Sequence, residues 1–294
     1  MSSLAYQQNS IGDPFFISWT DEDTDVIDYH IHTPLCNHAR KSMESYVKKA
    51  IELGLREICF LDHLTVNGQG RRNSMCPSEV GLYFQAVQKL KYQYWKQIRI
   101  RAGLEVDFIP DQIDRIHEII RPYSFDVIGG SVHFVNGMNI VSRREQTALS
   151  KIDFENLCLH YIEELDQLLN CDFFDTICHL DVVKKFHAPL SEAVVDKFDE
   201  ILSKIRYKNL TVEVNTSGLT HSAQEIYPGP ELLKICFHKG IEITLASDAH
   251  HPDEVGRYFK QVISDLVAVG FTHLAGFSRR KRYKIPIDIN GGRS

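Results

Sequence analysis

The sequence lacks the features that mark several large classes of protein. No apolar run approaches the roughly 18 to 20 residues that a membrane-spanning helix requires, which argues against a membrane protein. The seven cysteines are odd in number and include no Cys-x-x-Cys pair, so neither a disulfide framework nor a zinc ribbon is supported. A formal net charge of −6 disfavours nucleic acid as a partner, since duplex binding depends on phosphate neutralisation by Lys and Arg.

The N-terminal segment and the interior lack two further signals. The first 39 residues contain no Lys or Arg and carry Asp21-Glu22-Asp23, the reverse of the basic start of a signal peptide. With the cysteine pattern, this predicts a cytoplasmic protein. No Pro/Gly/Ser-rich linker, internal repeat or low-complexity tract divides the chain. The 294 residues are therefore predicted to form a single domain, with residues 1–25 as an added arm and residues 26–287 as its body.

What the sequence does contain is a regular alternation of strand and helix patterns. Strands are predicted at 26–31, 57–61, 98–106, 125–132, 174–178, 210–215 and 241–247. Helices are predicted at 42–53, 78–96, 111–121, 153–169, 192–206, 230–239 and 253–269. Gly54, Gly240 and Gly270 each follow a helix, as C-cap glycines do. This alternation predicts an α/β fold in which seven parallel strands form a barrel or an open sheet.

Histidines are concentrated at the end of the first predicted strand. His30 and His32 are two residues apart, and His38 follows six residues later. Because alternate strand side chains share a face, His30 and His32 project together and could bind one cation. A His-x-His pair alone is equally consistent with histidines that make ordinary hydrogen bonds.

Metal-competent side chains also end the other apolar runs. These residues are His63, Glu105, His133, His179, Asp248 and His250. Parallel βα units collect the carboxyl ends of their strands at one face, so residues far apart in sequence are expected to meet there. Imidazole and carboxylate ligands without thiolate suit zinc, iron or manganese. Cys36 and Cys178 neighbour these residues and are interpreted as small packing residues.

Taken together, these motifs resemble those of the polymerase and histidinol phosphatase (PHP) family, in particular its histidinol-phosphatase branch. The matching segments are 28–39 (DYHIHTPLCNHA), 103–108 (GLEVDF), 130–134 (GSVHF), 213–219 (EVNTSGL) and 246–250 (ASDAH). The similarity extends over about residues 26–287. It implies a distorted (β/α)7 barrel, similar to a TIM barrel, with three divalent metal ions at the C-terminal face of the strands.

The resemblance also assigns ligands. It implies a first metal held by His30, His32, Glu105 and Asp248, a second bridged by Glu105 and completed by His133 and His179, and a third held by His38, His63 and His250. Zinc, iron and manganese all stay open as the metal. Glu105, Asp248 and His250 are the implied catalytic residues.

The activity implied by the resemblance is hydrolysis of a small phosphorylated substrate, histidinol phosphate, to histidinol and phosphate in histidine biosynthesis. One alternative is a related phosphoesterase that acts on nucleotides or DNA ends. Another is a metal-binding module without activity, although all nine proposed ligands are present. Neither the oligomeric state nor the choice of metal can be predicted from the sequence.

Substrate contacts are harder to predict. Asn215, Arg144 and His221 are proposed as substrate-binding residues, and His221 also as a proton donor to the leaving group, or else an exposed loop histidine. The family commonly has a basic Arg-Lys pair after its Asn-Thr-x-Gly-Leu motif, where this chain has Thr220-His221. An arginine suits bidentate binding of phosphate. Four loop arginines could substitute for the missing pair, or each could instead be a surface residue: Arg71, Arg72, Arg143 and Arg144.

Two further groups of charged residues carry predictions. Asp28, Asp62 and Asp181 lie within two residues of proposed ligands, and such acids often accept the second N–H of a ligand imidazole. This role is favoured for Asp181 over that of a simple surface acid. The basic cluster 279–284 (RRKRYK) is predicted to form a solvated face, with phosphate or nucleic-acid binding as the alternative.

Overall fold

A parallel sheet of seven strands is the centre of the fold. The computed structural model describes residues 26–66 and 68–287. The strands are β1 (Ile27–Ile31), β2 (Glu57–Leu64), β3 (Arg99–Asp107), β4 (Val127–Ser131), β5 (Phe134–Val135), β6 (Met138–Asn139), β7 (Thr176–Ile177), β8 (Thr211–Asn215), β9 (Ile243–Ala246), β10 (His273–Ser278) and β11 (Lys281–Pro286). The seven-stranded sheet has the order β1-β2-β3-β4-β7-β8-β9. β5 pairs with β6, and β10 with β11, as antiparallel hairpins.

Helices connect the parallel strands and cover the sheet. They are α1 (Met43–Glu52), α2 (Val80–Tyr94), α3 (Ile113–Ile120), α4 (Gln146–Leu149), α5 (Phe154–Leu169), α6 (Glu192–Tyr207), α7 (Pro230–His238) and α8 (Phe259–Val269). The first and last strands of the sheet meet, since the His32 N–H donates to the Ala249 carbonyl at 3.0 Å and the Ala249 N–H donates to the His30 carbonyl at 3.2 Å. The predicted distorted (β/α)7 barrel is therefore confirmed.

The predicted elements match the observed ones to within a few residues, with two informative differences. β2 continues to Leu64, so Asp62 and His63 belong to the strand and not to the loop after it. α8 begins at Phe259 and not at residue 253. The Glu254 carboxylate accepts the N–H of His250 at 2.7 Å, which holds a short 3-10 turn where the helix was predicted. Gly54 and Gly240 take left-handed φ values of 72° and 64°, as predicted for helix C-caps.

The core lies between the sheet and the helices. Tyr46, Val47 and Ala50 of α1 are fully buried against it, as is Ile58 of β2. Burying each Val or Ile side chain contributes about 1.5–3 kcal/mol relative to an exposed position. Among the described residues, no helix combines the length and the apolar character needed to cross a lipid bilayer. The predicted arm, residues 1–25, lies outside the described residues, and the single-domain organisation stays a prediction.

The structure corrects the prediction that the basic cluster 279–284 is only a solvated face. Several of its residues are exposed, as expected of a solvated face, but they also join the β10–β11 hairpin to the N-terminal ends of the barrel strands. Arg280 pairs with Asp175 before β7, Arg282 donates to Asn209 Oδ1 before β8 at 2.6 Å, and Lys284 lies 3.5 Å from Glu242 before β9. Tyr283, the uncharged member of the cluster, donates to buried Glu57 of β2 at 2.6 Å. The cluster therefore closes the end of the barrel opposite the strand tips.

Candidate metal centre

The nine predicted ligands converge at the C-terminal face of the barrel. His30 lies in β1 with His32 directly after it, His63 lies in β2 and Glu105 in β3. The remaining five lie in the loops after β1, β4, β7 and β9, and they are His38, His133, His179, Asp248 and His250. Seven of the nine line a cavity of about 520 Å3, with Glu105 and Asp248 among them. Residues separated by more than 200 positions are thus brought into one neighbourhood.

Glu105 occupies the middle of the centre and is fully buried. Its Oε2 atom lies 2.9 Å from Nδ1 of His63 and 3.1 Å from Nε2 of His30. Its Oε1 atom lies 2.8 Å from Nε2 of His179 and 3.5 Å from Nε2 of His133. Burial opposes ionisation of Glu105, but the His63 and His30 imidazoles hold its pKa well below the usual range. The two oxygens therefore face different pairs of histidines, as a bridging carboxylate requires.

A second group of residues surrounds His32. Its Nε2 atom lies 3.0 Å from Oδ1 of Asp248 and 3.7 Å from Oε2 of Glu105. The ring centroids of His32 and His250 are 4.0 Å apart, and those of His38 and His250 are 4.5 Å apart. One ligand atom from each of His30, His32 and Asp248 lies within 4.8 Å of the other two, and the same holds for His32, His63 and His250.

The donor atoms of this centre fit cations. Nδ1 of His38 donates to the Cys36 carbonyl at 2.8 Å, and Nδ1 of His250 donates to the Asp248 carbonyl at 3.1 Å. A neutral imidazole has only one N–H, so both Nε2 atoms present lone pairs, and they face each other at 2.8 Å. Burial and the neighbouring His32 hold the pKa of His250 well below its usual value, which disfavours a proton as the bridge. A metal ion can accept the lone pairs of two such nitrogens at once.

Carboxylates orient the buried imidazoles from behind. Nδ1 of His32 donates to Asp62 at 3.2 Å, which confirms the predicted contact of Asp62. Nδ1 of His30 donates to Glu213 at 2.7 Å, and Nδ1 of His133 donates to Asp107 at 2.5 Å. In each case Nε2 is left to point into the centre, the arrangement that positions ligand histidines in metalloproteins.

Glu213 and Asp107 were missed by the sequence analysis, although both carry a signal. Glu213 precedes Asn215 by two positions on one strand, and Asp107 follows Glu105 by two positions on another. Strand alternation therefore places each of them on the same face as a residue that was singled out. The strand partners that bring them to His30 and His133 are visible only in the fold.

The predictions for the other two aspartates are wrong. Asp28 accepts the N–H of Ser247 at 2.9 Å and the N–H of Gly256 at 3.1 Å, so it holds the loop after β9 and not an imidazole. Asp181 accepts from Lys184 Nζ at 2.8 Å and from the N–H of Gly229 at 2.9 Å. Both acids were expected to meet a ligand on their own strand, but each reaches across to a neighbouring loop.

Two of the converging residues have unfavourable backbone conformations. His179 has a φ of 27° and Asp248 a φ of 54°, in the left-handed region that non-glycine residues rarely adopt. Such conformations cost about 1–3 kcal/mol and persist only where the surroundings hold them. The Arg257 guanidinium does so for Asp248, because it donates to the carbonyl of Ser247 at 2.8 Å and to that of Asp248 at 3.2 Å.

The three predicted substrate contacts are placed differently. Asn215 is buried and donates through Nδ2 to Glu213 at 2.7 Å and to Asp248 at 3.4 Å, so it braces carboxylates of the centre. His221 lines the cavity. Its Nδ1 atom lies 2.9 Å from the Tyr227 hydroxyl, and burial followed by the Lys185 charge lowers the pKa of His221 to about 4.

The four loop arginines differ in their surroundings. Arg71 donates to the Ser74 and Met75 carbonyls at 3.1 and 3.2 Å and is used within its own loop. Arg143 lines the cavity of the metal centre. Arg144, which was predicted to contact substrate, lies with Arg72 and Arg143 along an adjoining groove of about 500 Å3.

The cysteines are all free, but two lie closer to the centre than a packing role predicts. Ligand-competent atoms of Cys36, His38 and His250 lie within 4.8 Å of one another. The same is true of Cys178 with His30 and Glu213. Both thiols therefore border the ring of imidazoles.

Comparison with known proteins agrees with this architecture. The family profile described as PHP domain matches residues 28–217. A protein named "Probable histidinol-phosphatase" from Deinococcus radiodurans is 28% identical over 248 residues, which cover 84% of this chain and 95% of that protein. The histidinol-phosphatase of Bacillus subtilis is 27% identical over 270 residues, which cover 78% of this chain and 95% of that enzyme.

A solved structure extends the similarity to three dimensions. The crystal structure of histidinol phosphate phosphatase from Lactococcus lactis, complexed with zinc, L-histidinol and phosphate, superposes with a TM-score of 0.78 at 25% identity. The match covers 89% of this chain and all of that one. The chain belongs to the PHP family, because the family profile spans well over half of its length. Within that family it falls in the histidinol-phosphatase branch.

Proposed function

We propose that this protein is a metal-dependent phosphatase that hydrolyses L-histidinol phosphate to L-histidinol and phosphate in histidine biosynthesis. The observation that carries the proposal is the convergence of imidazole nitrogens and carboxylate oxygens around Glu105. In particular, Nε2 of His38 and Nε2 of His250 lie 2.8 Å apart, so that one cation could bind both lone pairs as neighbouring ligands. Similarity to enzymes named histidinol-phosphatase supports the substrate.

We propose three divalent ions, distributed as the family resemblance implies. His30, His32, Glu105 and Asp248 would hold the first ion. Glu105, His133 and His179 would hold the second, and His38, His63 and His250 the third. The zinc in the Lactococcus lactis structure supports zinc here, and the nitrogen and oxygen donor set equally suits iron or manganese.

The proposed reaction requires a large rate acceleration. Phosphate monoester hydrolysis is among the slowest uncatalysed reactions, so an enzyme must lower its barrier by roughly 20 kcal/mol or more. Bound divalent cations would supply charge neutralisation at the phosphoryl oxygens and would lower the pKa of water towards about 7.

The residues of this chain contribute position and charge. Glu105 presents its two oxygens to opposite sides of the centre, and Asp248 is held by Arg257 and Asn215 beside His32. Glu213, Asp107 and Asp62 fix the tautomers of three imidazoles, so that each presents its Nε2 lone pair.

Replacement of Glu105 by Gln tests the proposal. The variant keeps the size of the side chain and removes the bridging charge, so bound metal is expected to fall and phosphate release from histidinol phosphate to drop by orders of magnitude. Metal content is measured by elemental analysis and turnover by phosphate release across a panel of monoesters. Glu200→Gln, at an exposed position of α6, is the matched control. Wild-type enzyme that ignores histidinol phosphate but cleaves another monoester would remove the substrate assignment.

One observation favours a second candidate, a phosphoesterase for nucleotides or DNA ends. The groove lined by Arg72, Arg143 and Arg144 adjoins the cavity of the metal centre and shares Arg143 with it. Three guanidinium groups would suit a substrate with a second anionic group better than they suit the ammonium of histidinol. Phosphate release from a short single-stranded oligonucleotide with a terminal phosphate, compared with release from histidinol phosphate, separates the two candidates.

The cellular compartment that we propose is the cytoplasm. None of the seven cysteines forms a disulfide, although Cys36 and Cys178 lie beside the centre. Free thiols of this kind persist in a reducing compartment.

A further inference from the structure

The lining of the cavity carries positively charged side chains that are not among the proposed metal ligands. Lys185, Arg143 and Arg257 all line it, together with His221. Arg257 is engaged by the Ser247 and Asp248 carbonyls. Lys185 is different, because no carboxylate within the described residues forms an ion pair with its ammonium group. Its Nζ atom lies over the Phe186 ring, 5.6 Å from the ring centroid.

The adjacent lysine shows what a purely structural lysine does at this place. Lys184 is fully buried, and its Nζ atom lies 2.8 Å from Asp181 and 2.7 Å from Glu225. It also lies 5.5 Å from the centre of the Tyr227 ring. A buried ammonium with two carboxylates is electrostatically complete. Lys184 therefore anchors the loop after β7 and leaves its neighbour to face the cavity.

The backbone holds Lys185 in position from both sides. Its N–H donates to the Val182 carbonyl at 2.9 Å, and its own carbonyl accepts the N–H of Ser222 at 3.1 Å. The first bond lies within the loop after β7, and the second joins that loop to the segment that carries His221. The two residues therefore line one cavity and are linked by this backbone contact.

The electrostatic state of this lining points to an anion. Burial lowers the pKa of Lys185, and the Asp248 charge acts in the opposite direction. A half-buried ammonium without a carboxylate partner is costly, and an anion in the cavity removes that cost. His221 is neutral at pH 7, since its pKa is lowered to about 4 by burial and by the Lys185 charge. Its Nδ1 atom is taken by the Tyr227 hydroxyl, so a tyrosine that donates there leaves Nε2 as the N–H of the ring.

We propose that Lys185, with the Nε2–H of His221 beside it, forms a binding site for phosphate oxygens in the cavity of the metal centre. The site takes the transferring phosphoryl group of the substrate and the inorganic phosphate product, and it rests on the proposed function. It supplies a cation from the loop after β7, whereas the family commonly supplies basic residues where this chain has Thr220-His221. The ammonium and the imidazole N–H complement a dianion whose remaining oxygens face the metals.

Binding of inorganic phosphate to the metal-loaded enzyme tests this proposal directly. Isothermal titration calorimetry compares the wild type with Lys185→Met, Lys185→Gln and Lys185→Arg, with Lys89→Met at an exposed position of α2 as the matched control. Losing one charge-assisted hydrogen bond is expected to weaken phosphate binding roughly 10- to 100-fold in the Met and Gln variants. Lys185→Arg is expected to recover most of the affinity, and kcat/KM for the phosphomonoester should follow the same order.

Metal content and thermal unfolding of each variant are measured in parallel. Phosphate affinity that stays within twofold of the wild type in folded, fully metal-loaded Lys185→Met or Lys185→Gln overturns the proposal. Equal losses in the Met and Arg variants also overturn it, because a charge-binding role predicts rescue. A wild type that does not hydrolyse histidinol phosphate refutes the proposed substrate alone. The phosphate site is then still supported if Lys185→Met weakens binding of inorganic phosphate.

Discussion

Glu213 offers a sharp test of how this fold prepares its metal centre, because it reaches His30 without being one of the nine proposed ligands. Its carboxylate is fully buried and accepts three hydrogen bonds. The donors are Nδ1 of His30 at 2.7 Å, the N–H of His179 at 3.2 Å and Nδ2 of Asn215 at 2.7 Å. Glu213 therefore orients one proposed ligand through its ring and another through its backbone.

Replacement of Glu213 by Gln keeps the volume and removes half of the acceptors. The amide NH2 group would face a donor, so at least one of the three N–H groups loses its acceptor, at a cost of about 1–3 kcal/mol. The His30 ring would also lose the interaction that selects its tautomer. Removing such a partner typically lowers metal affinity or activity about 10- to 100-fold. That factor corresponds to about 1.4–2.8 kcal/mol of metal binding.

The assay is a competition between the protein and a chromophoric chelator for zinc or manganese, followed by phosphate release at saturating metal. Glu200→Gln is the matched control, since it makes the same substitution at an exposed position of α6. We expect Glu213→Gln to lose metal affinity and to recover part of its activity at high metal concentration. A folded Glu213→Gln protein with metal affinity within twofold of the wild type would refute the role of Glu213 as an orienting carboxylate.

Three further predictions follow from the same contacts. Removal of the metals by a chelator should abolish phosphate release and lower the melting temperature, since each metal site filled at 1,000 times its Kd stabilises the fold by about 4 kcal/mol. Restored zinc or manganese should reverse both effects. An unchanged melting temperature would contradict the idea that metal binding stabilises the fold. Arg257→Lys should lower metal affinity about 10-fold in the same competition assay, because an ammonium cannot replace the guanidinium that contacts the Ser247 and Asp248 carbonyls and so holds Asp248 in place. An unchanged metal affinity would contradict this role of Arg257. Tyr283→Phe should destabilise the fold by about 1–3 kcal/mol in urea unfolding, because buried Glu57 loses a hydrogen-bond donor, while kcat/KM stays unchanged. The control Tyr207→Phe, at a residue that is 90% exposed, should change neither quantity. Equal stability of the two variants would argue against the proposal that the β10–β11 hairpin closes the end of the barrel.

The elements that sequence analysis located well are those with a strong local signal. β1 and β8 were predicted to within one residue at each end, because short runs rich in β-branched residues are bounded by turn residues. The β10–β11 hairpin was not predicted, since its basic residues look like a solvated tail until their partners Asp175, Asn209 and Glu242 are brought near by the barrel.

The candidate site shows the same division. Glu105 and Asp248 were identified because each ends an apolar run, and this rule needs no tertiary information. Lys185 was missed because it follows Lys184 in a short 3-10 turn, where the sequence does not indicate which of the two lysines faces the cavity. The Asp181 and Glu225 carboxylates that bury Lys184 are 44 residues apart in the chain, and only the fold brings them to one ammonium.

The order of strands and helices, the face on which the histidines lie, and the set of nine metal-competent residues were determined by the sequence alone. Strand periodicity and the rule that parallel strand ends share a face act over a few residues, so they can be followed along one chain. The tertiary structure decided which carboxylate orients which imidazole, which arginines reach the cavity, and which lysine is left facing it. Those outcomes depend on contacts between loops after different strands, and such contacts exist only when the barrel has closed between His32 and Ala249.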